Sequence, residues 1–189
     1  MRDRSRAAWL QIALLGLPCA GCLGFGGPLV AETDEDGDSE SGSDSETGTP
    51  PSLCGPTTAV VSHVIDGDTV VLESGERVRY ILVDTPEITN GKNDCYGAEA
   101  RDYNNTLVTG RTVTITYDEE CQDRYGRLLG YVSVGELEVN RTLLEEGYAC
   151  ILHISPNGDD LVAEYQALED AAKSAGVGMW SACGTVACE

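Results

Sequence analysis

Three short stretches carry residue types that together could act on a phosphate: Asp66 with Asp68; Arg79 with Asp84, Thr85 and Glu87; and Asp123 with Arg127. Clustered carboxylates repel one another unless a cation or an arginine neutralises them. Asp68 and Asp84, with Thr85 adding an oxygen, therefore suit a hard divalent ion such as calcium. Two arginines, Arg79 and Arg127, would grip a phosphate through forked hydrogen bonds and stabilise the charge that builds in the transition state. Glu87 would then activate water as a general base. Together these describe metal-assisted phosphoester hydrolysis. A bland alternative stands level with it, in which Asp66-Gly67-Asp68 is a turn and Arg79 and Glu87 form a structural ion pair.

The elements that must position these groups follow from periodicity. A β-rich run, Thr58 to Ile65, leads through Asp66-Gly67-Asp68-Thr69 into Val70-Val71-Leu72, and the tight turn Ser74-Gly75 returns the chain as a strand from Arg77 to Val83. The three strands form a meander whose first and third members bring the first two clusters together. Strict alternation along the third strand would put Arg79, Ile81 and Val83 on one face and Tyr80 and Leu82 on the other, leaving a guanidinium among aliphatic neighbours and in need of a partner. Pro86 ends the ladder and holds Thr85 and Glu87 in extended or turn geometry. Further on, Gly97 to Leu107 and Asn140 to Glu146 read as helices, as does Leu161 to Ala175, with strands at Arg111 to Tyr117 and Leu128 to Val134. Five strands with a helix between the third and fourth predict an α+β, mainly β fold: a five-stranded OB-type Greek-key barrel with three helices. Periodicity alone leaves a small α+β sandwich open.

The remaining chain is of a different kind. Residues 1–22 place Arg2, Arg4 and Arg6 before an apolar run from Ala7 to Pro18 and then small residues, the pattern of an export signal, and the run is too short to span a bilayer. Ala20-Gly21-Cys22 resembles the end of a bacterial lipobox, although Cys19 stands where leucine is usual. A cell-envelope lipoprotein, touching the membrane only through a lipid on Cys22, and a plain secreted protein both remain open. Residues 23–53 are Gly, Ser, Thr, Pro and acid, with little to bury, and read as a disordered tether. Residues 54–189 make one domain, expected to be a monomer. From Cys54 onward 23 Asp and Glu face 9 Lys and Arg, a net of -14 within the -20 of the whole chain. That excludes a general nucleic-acid-coating surface, so any phosphate chemistry must rest on a few local arginines or a metal. Of eight cysteines, six lie from Cys54 on, without a CxxC pair, which favours disulfides in an oxidising compartment over a zinc site.

VIDGDTV, RYILVDTPE, YGAEA, DRYGR and the late GMW, in that order and at compatible spacings, resemble the thermonuclease family of staphylococcal-nuclease-like domains over roughly residues 58–181. The resemblance implies an OB-type barrel with three helices that cleaves DNA and RNA with calcium. Matched position by position, it makes Arg79 and Arg127 the two phosphate-binding catalytic arginines and Glu87 the catalytic glutamate. Asp68 and Asp84 become the calcium carboxylates, Thr85 lends a backbone carbonyl, and Asp66 is an acid close to the metal. Arg124 and Tyr125 fall where family members contact the nucleotide. Where the family has nucleotide-cradling tyrosines this chain has Cys150-Ile151-Leu152-His153-Ile154-Ser155, so His153 is a candidate substrate contact, with Leu152 the alternative at that place. Met179 and Trp180 match the late apolar position, with Trp180 expected to pack the last helix on the barrel. Asn104 and Asn140 open glycosylation sequons whose use the bacterial-style N-terminus argues against. Cys95 and Cys121, in the loops flanking the site, are expected to pair. The competing function is a non-catalytic OB module that binds nucleic acid or another ligand. Retention of Arg79, Glu87 and Arg127 together argues against it.

Overall fold

The computed structural model describes residues 54–187. The export signal and tether expected at 1–22 and 23–53 lie outside the described residues. Strands β1 (Thr58–Asp66), β2 (Thr69–Leu72) and β3 (Arg77–Tyr80) form the antiparallel meander. Gly75, at φ 99°, makes the β2–β3 turn, and Leu72 N–H donates to the Glu76 carbonyl at 2.9 Å. The long β1 serves two partners: its C-terminal part pairs with β2, while Thr58 to Val60 pair with β4 (Thr112–Thr116). β4 pairs in turn with β5 (Leu128–Val134), and β5 closes the barrel by pairing in parallel with β3, Val78 beside Leu128. A two-residue edge strand, β6 (Leu137–Glu138), pairs antiparallel with the end of β5. The expected five-stranded barrel is therefore present, and alternation fills it: Val113 and Ile115 of β4 are buried while Thr112, Thr114 and Thr116 face out.

The expected helices are α1 (Gly97–Val108), α2 (Val139–Glu145) and α3 (Val162–Ala175), joined by a single short turn of helix, α4 (Met179–Ala182). Met179, fully buried, is the core residue of α4. Trp180 is half-buried, with the Lys173 ammonium 4.7 Å from its ring. The two sequon asparagines are inside the protein. Asn140 Oδ1 accepts from Val132 N–H at 2.9 Å and its Nδ2 donates to the Ile81 carbonyl at 3.0 Å, while Asn104 accepts from the Tyr80 hydroxyl at 3.1 Å.

One expectation fails in an informative way. The strand expected from Arg77 to Val83 stops at Tyr80, and Leu82 adopts a left-handed φ of 62°. Ile81, Leu82 and Val83 are all buried, so alternation does not hold past Tyr80. The cause is a change of hydrogen-bond partner. Ile81 N–H donates to the Gly130 carbonyl at 3.1 Å, its own carbonyl is taken by Asn140, and Asp84 then exchanges backbone bonds with Cys150 at 2.9 and 2.7 Å. The chain leaves one ladder and joins another, and that step presents Asp84, Thr85 and Glu87 at the barrel mouth.

Candidate active site

Arg79 and the carboxylates form the floor of the site. On β3, Val78 and Tyr80 face the core, so Arg79 faces outward beneath the 84–87 segment. Its Nε lies 3.1 Å from Asp68 Oδ1 and its Nη2 2.9 Å from Asp84 Oδ1, and Nη1 donates to the Val83 carbonyl. Asp68 is fully engaged: Oδ1 also accepts from the Thr69 hydroxyl at 3.0 Å, and Oδ2 accepts from Thr85 N–H at 2.8 Å and the Thr85 hydroxyl at 3.1 Å. Gly67 makes this closeness possible, because a Cβ there would lie 2.5 Å from the Thr85 side chain. Asp66, mostly buried beside Asp68, has its carboxyl pushed up to about 7, chiefly by burial and then by the Asp68 charge.

Glu87 stands on the loop beyond Pro86. Its Oε1 accepts from Ile88 N–H at 3.1 Å, Thr89 N–H at 3.0 Å and the Thr89 hydroxyl at 2.6 Å. Oε2 takes no hydrogen bond among the described residues. Partial burial pushes this carboxyl up, but the Thr89 and Ile88 bonds and the charge of Lys92 outweigh it, and the net displacement is downward. The group is thus an ionised carboxylate near neutral pH with one oxygen held and one open. Asp94 fixes the loop from the other side, since Glu87 N–H donates to its Oδ2 at 3.2 Å and Asp94 N–H donates to the Glu87 carbonyl at 2.9 Å.

The opposite wall is the turn Asp123-Arg124-Tyr125-Gly126-Arg127. Asp123 organises it by accepting from Tyr125 N–H at 2.8 Å, Arg127 N–H at 3.0 Å and Arg127 Nε at 2.6 Å. Burial pushes the Asp123 carboxyl up, but the Arg127 bonds more than compensate and it lies below the ordinary range. With Nε occupied, the Nη groups of Arg127 are left to face the cleft. The Tyr125 ring, 59% exposed, is flanked by the guanidinium carbons of Arg124 at 4.8 Å and Arg127 at 5.5 Å.

Asp66, Asp68, Arg79, Asp84, Thr85, Glu87, Tyr125 and Arg127 line one cavity of about 340 Å³. The three clusters separated in sequence therefore meet. An adjoining groove of about 510 Å³ shares Arg79, Asp84, Tyr125 and Arg127 and runs to Arg124, Leu152 and Ile154. His153 lines neither: its Nε2 pairs with Asp159 Oδ1 at 2.7 Å, and Leu152 and Ile154 on either side of it reach the groove instead. Among the described residues no ready-made cage of three or more His, Cys, Asp or Glu exists, and the Arg79 guanidinium bridges Asp68 and Asp84. The donor set nonetheless fits a hard cation: two carboxylates, the Thr85 carbonyl and an open cleft for water are the ligands that calcium takes, and a positive group already sits between the carboxylates.

Sequence reasoning missed several supports of this site. Asn157 pins the loop before Asp123 by accepting from Glu120 N–H at 2.7 Å and donating to its carbonyl at 2.9 Å. Buried Glu169 of α3 accepts from Ile151 N–H at 3.1 Å, steadying the segment that pairs with Asp84. The expected Cys95–Cys121 bond is replaced by Cys54–Cys121 and Cys95–Cys183. Cys121 precedes β5, close to where the N-terminal end of the domain runs, whereas Cys95 meets the chain beyond α4. Ala187 on that chain lines the same cavity as Glu87.

The family model described as Staphylococcal nuclease homologue matches residues 77–182. Endonuclease YncB of Bacillus subtilis is 38% identical over 133 residues, covering 67% of this chain and 63% of that protein. The SPbeta prophage-derived endonuclease YokF of the same organism is 36% identical over 133 residues, 67% of this chain and 45% of its own length. A thermonuclease of Staphylococcus intermedius is 38% identical over 119 residues, 60% of this chain and 71% of the relative. The chain thus spans less than two thirds of the first two relatives.

Proposed function

Because this chain belongs to the staphylococcal nuclease homologue family, we propose that it hydrolyses phosphodiester bonds in DNA, RNA or both, with calcium and with little sequence preference. The observation that carries this reading is the convergence of Glu87, Arg79, Arg127, Asp68 and Asp84 on one cavity. Asp68, Asp84 and the Thr85 carbonyl would hold a calcium ion, whose chemistry is Lewis-acid polarisation of a phosphoryl oxygen. Arg79 and Arg127, on opposite sides of the cleft, grip the scissile phosphate, and their fixed donors favour the charge that accumulates on it in the transition state. Glu87 Oε2 accepts a hydrogen bond from the attacking water, orienting it and taking up its proton, while Oε1 stays anchored by Thr89. A binding module without catalysis has the acidic surface in its favour but leaves an open carboxylate oxygen and two opposed arginines without a role.

We place this activity outside the cytoplasm, in a secreted protein or a lipoprotein held through Cys22. The disulfides Cys54–Cys121 and Cys95–Cys183 support an oxidising compartment. Incubation of the protein with single-stranded DNA and RNA, with calcium or with a chelator, tests the function. Cleavage is expected only with calcium, and no cleavage of either polymer would end the proposal. Incorporation of a fatty-acid probe that is lost in Cys22→Ala tests the lipid.

A further inference from the structure

Glu87 opens a loop, Glu87 to Tyr96, that has no helix or strand of its own. Its two ends are pressed together: a Cβ on Gly97, the first residue of α1, would lie 2.6 Å from the Pro86 carbonyl oxygen. Within it, Lys92 N–H donates to the Thr89 carbonyl at 2.9 Å, and the paired bonds between Glu87 and Asp94 join its first residue to its last turn. That turn is strained. Tyr96 adopts a left-handed φ of 73°, a conformation in which its Cβ crowds the backbone. Against the strain stand the Gly97 N–H bond to the Asp94 carbonyl at 3.1 Å, the Tyr96 ring 5.3 Å from that of Tyr148, and the disulfide from Cys95, the residue between Asp94 and Tyr96, to Cys183. Cys183 is a fixed point. It ends α4, its N–H donates to the Met179 carbonyl at 3.0 Å, and fully buried Met179 donates its own N–H to the Gly147 carbonyl at 2.9 Å. Cys95 is the only cysteine of the loop, so beyond its peptide ends the loop has this one covalent tie.

We propose that Cys95 and Cys183 are positioning residues for the reaction: their disulfide holds the strained turn at Tyr96, so that Asp94 stays on Glu87 and Glu87 stays at the cavity. The catalytic consequence rests on the nuclease reading above, whereas the tie on the loop is a feature of the chain whatever its substrate. Without the bond, Tyr96 relaxes toward a negative φ, Asp94 two residues before it moves as well, and Glu87 N–H loses its acceptor. The two cysteines act through Asp94 and not on the substrate. A reacting group displaced by about 1 Å slows a reaction by about 10²-fold, while the phosphate grip of Arg79 and Arg127 lies on other elements, β3 and the turn before β5. Turnover should therefore suffer where substrate binding does not.

The test compares the full protein with Cys95→Ser/Cys183→Ser in amide hydrogen exchange and in single-turnover cleavage of single-stranded DNA in calcium. Exchange at the Glu87 and Asp94 amides should quicken by about tenfold, the factor set by relief of one left-handed residue. The single-turnover rate should fall by about 10–10²-fold, and affinity for the same strand in chelator should keep the parent value. Losing any disulfide lowers global stability. Cys54→Ser/Cys121→Ser, whose bond spans 67 residues against 88, is therefore the control: it should lower the urea midpoint by a similar amount and leave the two amides unmoved. Asp94→Ala keeps the disulfide and should slow turnover as the cysteine pair does, and combining the two changes should add little, since both break one link. Unchanged exchange at Glu87 and Asp94, an equal rise in both cysteine variants, or quickened exchange with parent turnover would overturn the proposal. So would parent turnover in Asp94→Ala, or losses that multiply in the combined variant. A parent protein that cleaves nothing would sink the nuclease reading, and quickened exchange in Cys95→Ser/Cys183→Ser alone would still uphold the tie on the loop.

Discussion

Replacing Arg79 by alanine separates the electrostatic role of this side chain from its catalytic one. The Arg79 side chain is 12% exposed, and those of Asp68 and Asp84 are 7% and 11% exposed. Removing one member of a buried ion pair costs about 3–5 kcal/mol, because the remaining charge loses its compensation. Asp68 keeps the Thr69 hydroxyl and both Thr85 donors, so the lower end applies, about 3 kcal/mol. With a urea slope of about 2 kcal/mol/M, the unfolding midpoint in chelator should fall by about 1.5 M. Calcium acts on the same two carboxylates, and without the guanidinium between them it should bind more tightly than to the parent. Calcium stabilises each protein according to its own Kd, so the tighter-binding variant gains more than the parent and the gap between them should narrow in calcium, by about 1.4 kcal/mol for each tenfold difference in Kd. The assay is urea unfolding of parent and Arg79→Ala, each in calcium and in chelator. An equal loss under both conditions, or a loss below about 1 kcal/mol, would refute the picture of one carboxylate pair serving guanidinium and cation alike.

Thr89→Ala removes the hydroxyl donor 2.6 Å from Glu87 Oε1. The Glu87 carboxyl lies below its ordinary 4.5, so it stays ionised, and its stabilising effect is retained, until pH falls through that depressed value. The acid limb of the pH–turnover profile should accordingly lie below about 4.5 in the parent and move upward in the variant, and an unmoved limb would exclude Thr89 from tuning Glu87. Gly67→Ala would press a methyl group on the Thr85 side chain. It should cost about 1–3 kcal/mol in urea unfolding and weaken calcium binding by moving Thr85 off Asp68, and parent-like calcium titration would contradict this. Glu169→Ala leaves Ile151 N–H without its acceptor and Lys173 without its ion pair, a loss of about 3 kcal/mol by denaturation. A loss under about 1 kcal/mol would mean that water replaces the carboxylate.

The barrel was legible because its signals are local: alternation in Thr112–Thr116, the Ser74-Gly75 turn and the helical run from Gly97 to Val108 each state their own element. The site was half legible. Asp68, Arg79, Asp84, Glu87 and Arg127 converge as the meander and the family resemblance require. Alternation failed after Tyr80 because the chain exchanges β-partners there, and nothing in Ile81-Leu82-Val83 announces that the Ile81 carbonyl will be taken by Asn140, 59 residues away. The cysteine pairing was out of reach for a related reason. Proximity of Cys95 and Cys121 to the same site in sequence says nothing about the path of the chain after α4, which brings Cys183 to Cys95. His153 illustrates the limit of matching by residue type: its ring finds Asp159, six residues on, and the groove is lined by its neighbours.

The central claim, that an ionised Glu87 with one open oxygen activates water at a phosphate held by Arg79 and Arg127, is tested most directly by single-turnover cleavage of single-stranded DNA with Glu87→Gln in saturating calcium. The amide keeps the size of the side chain but cannot take up the proton, so the rate should fall by a factor of about 10²–10⁴, while affinity for the same strand, measured in chelator, stays at the parent value. Cleavage at the parent rate would remove Glu87 from the chemistry and contradict the account.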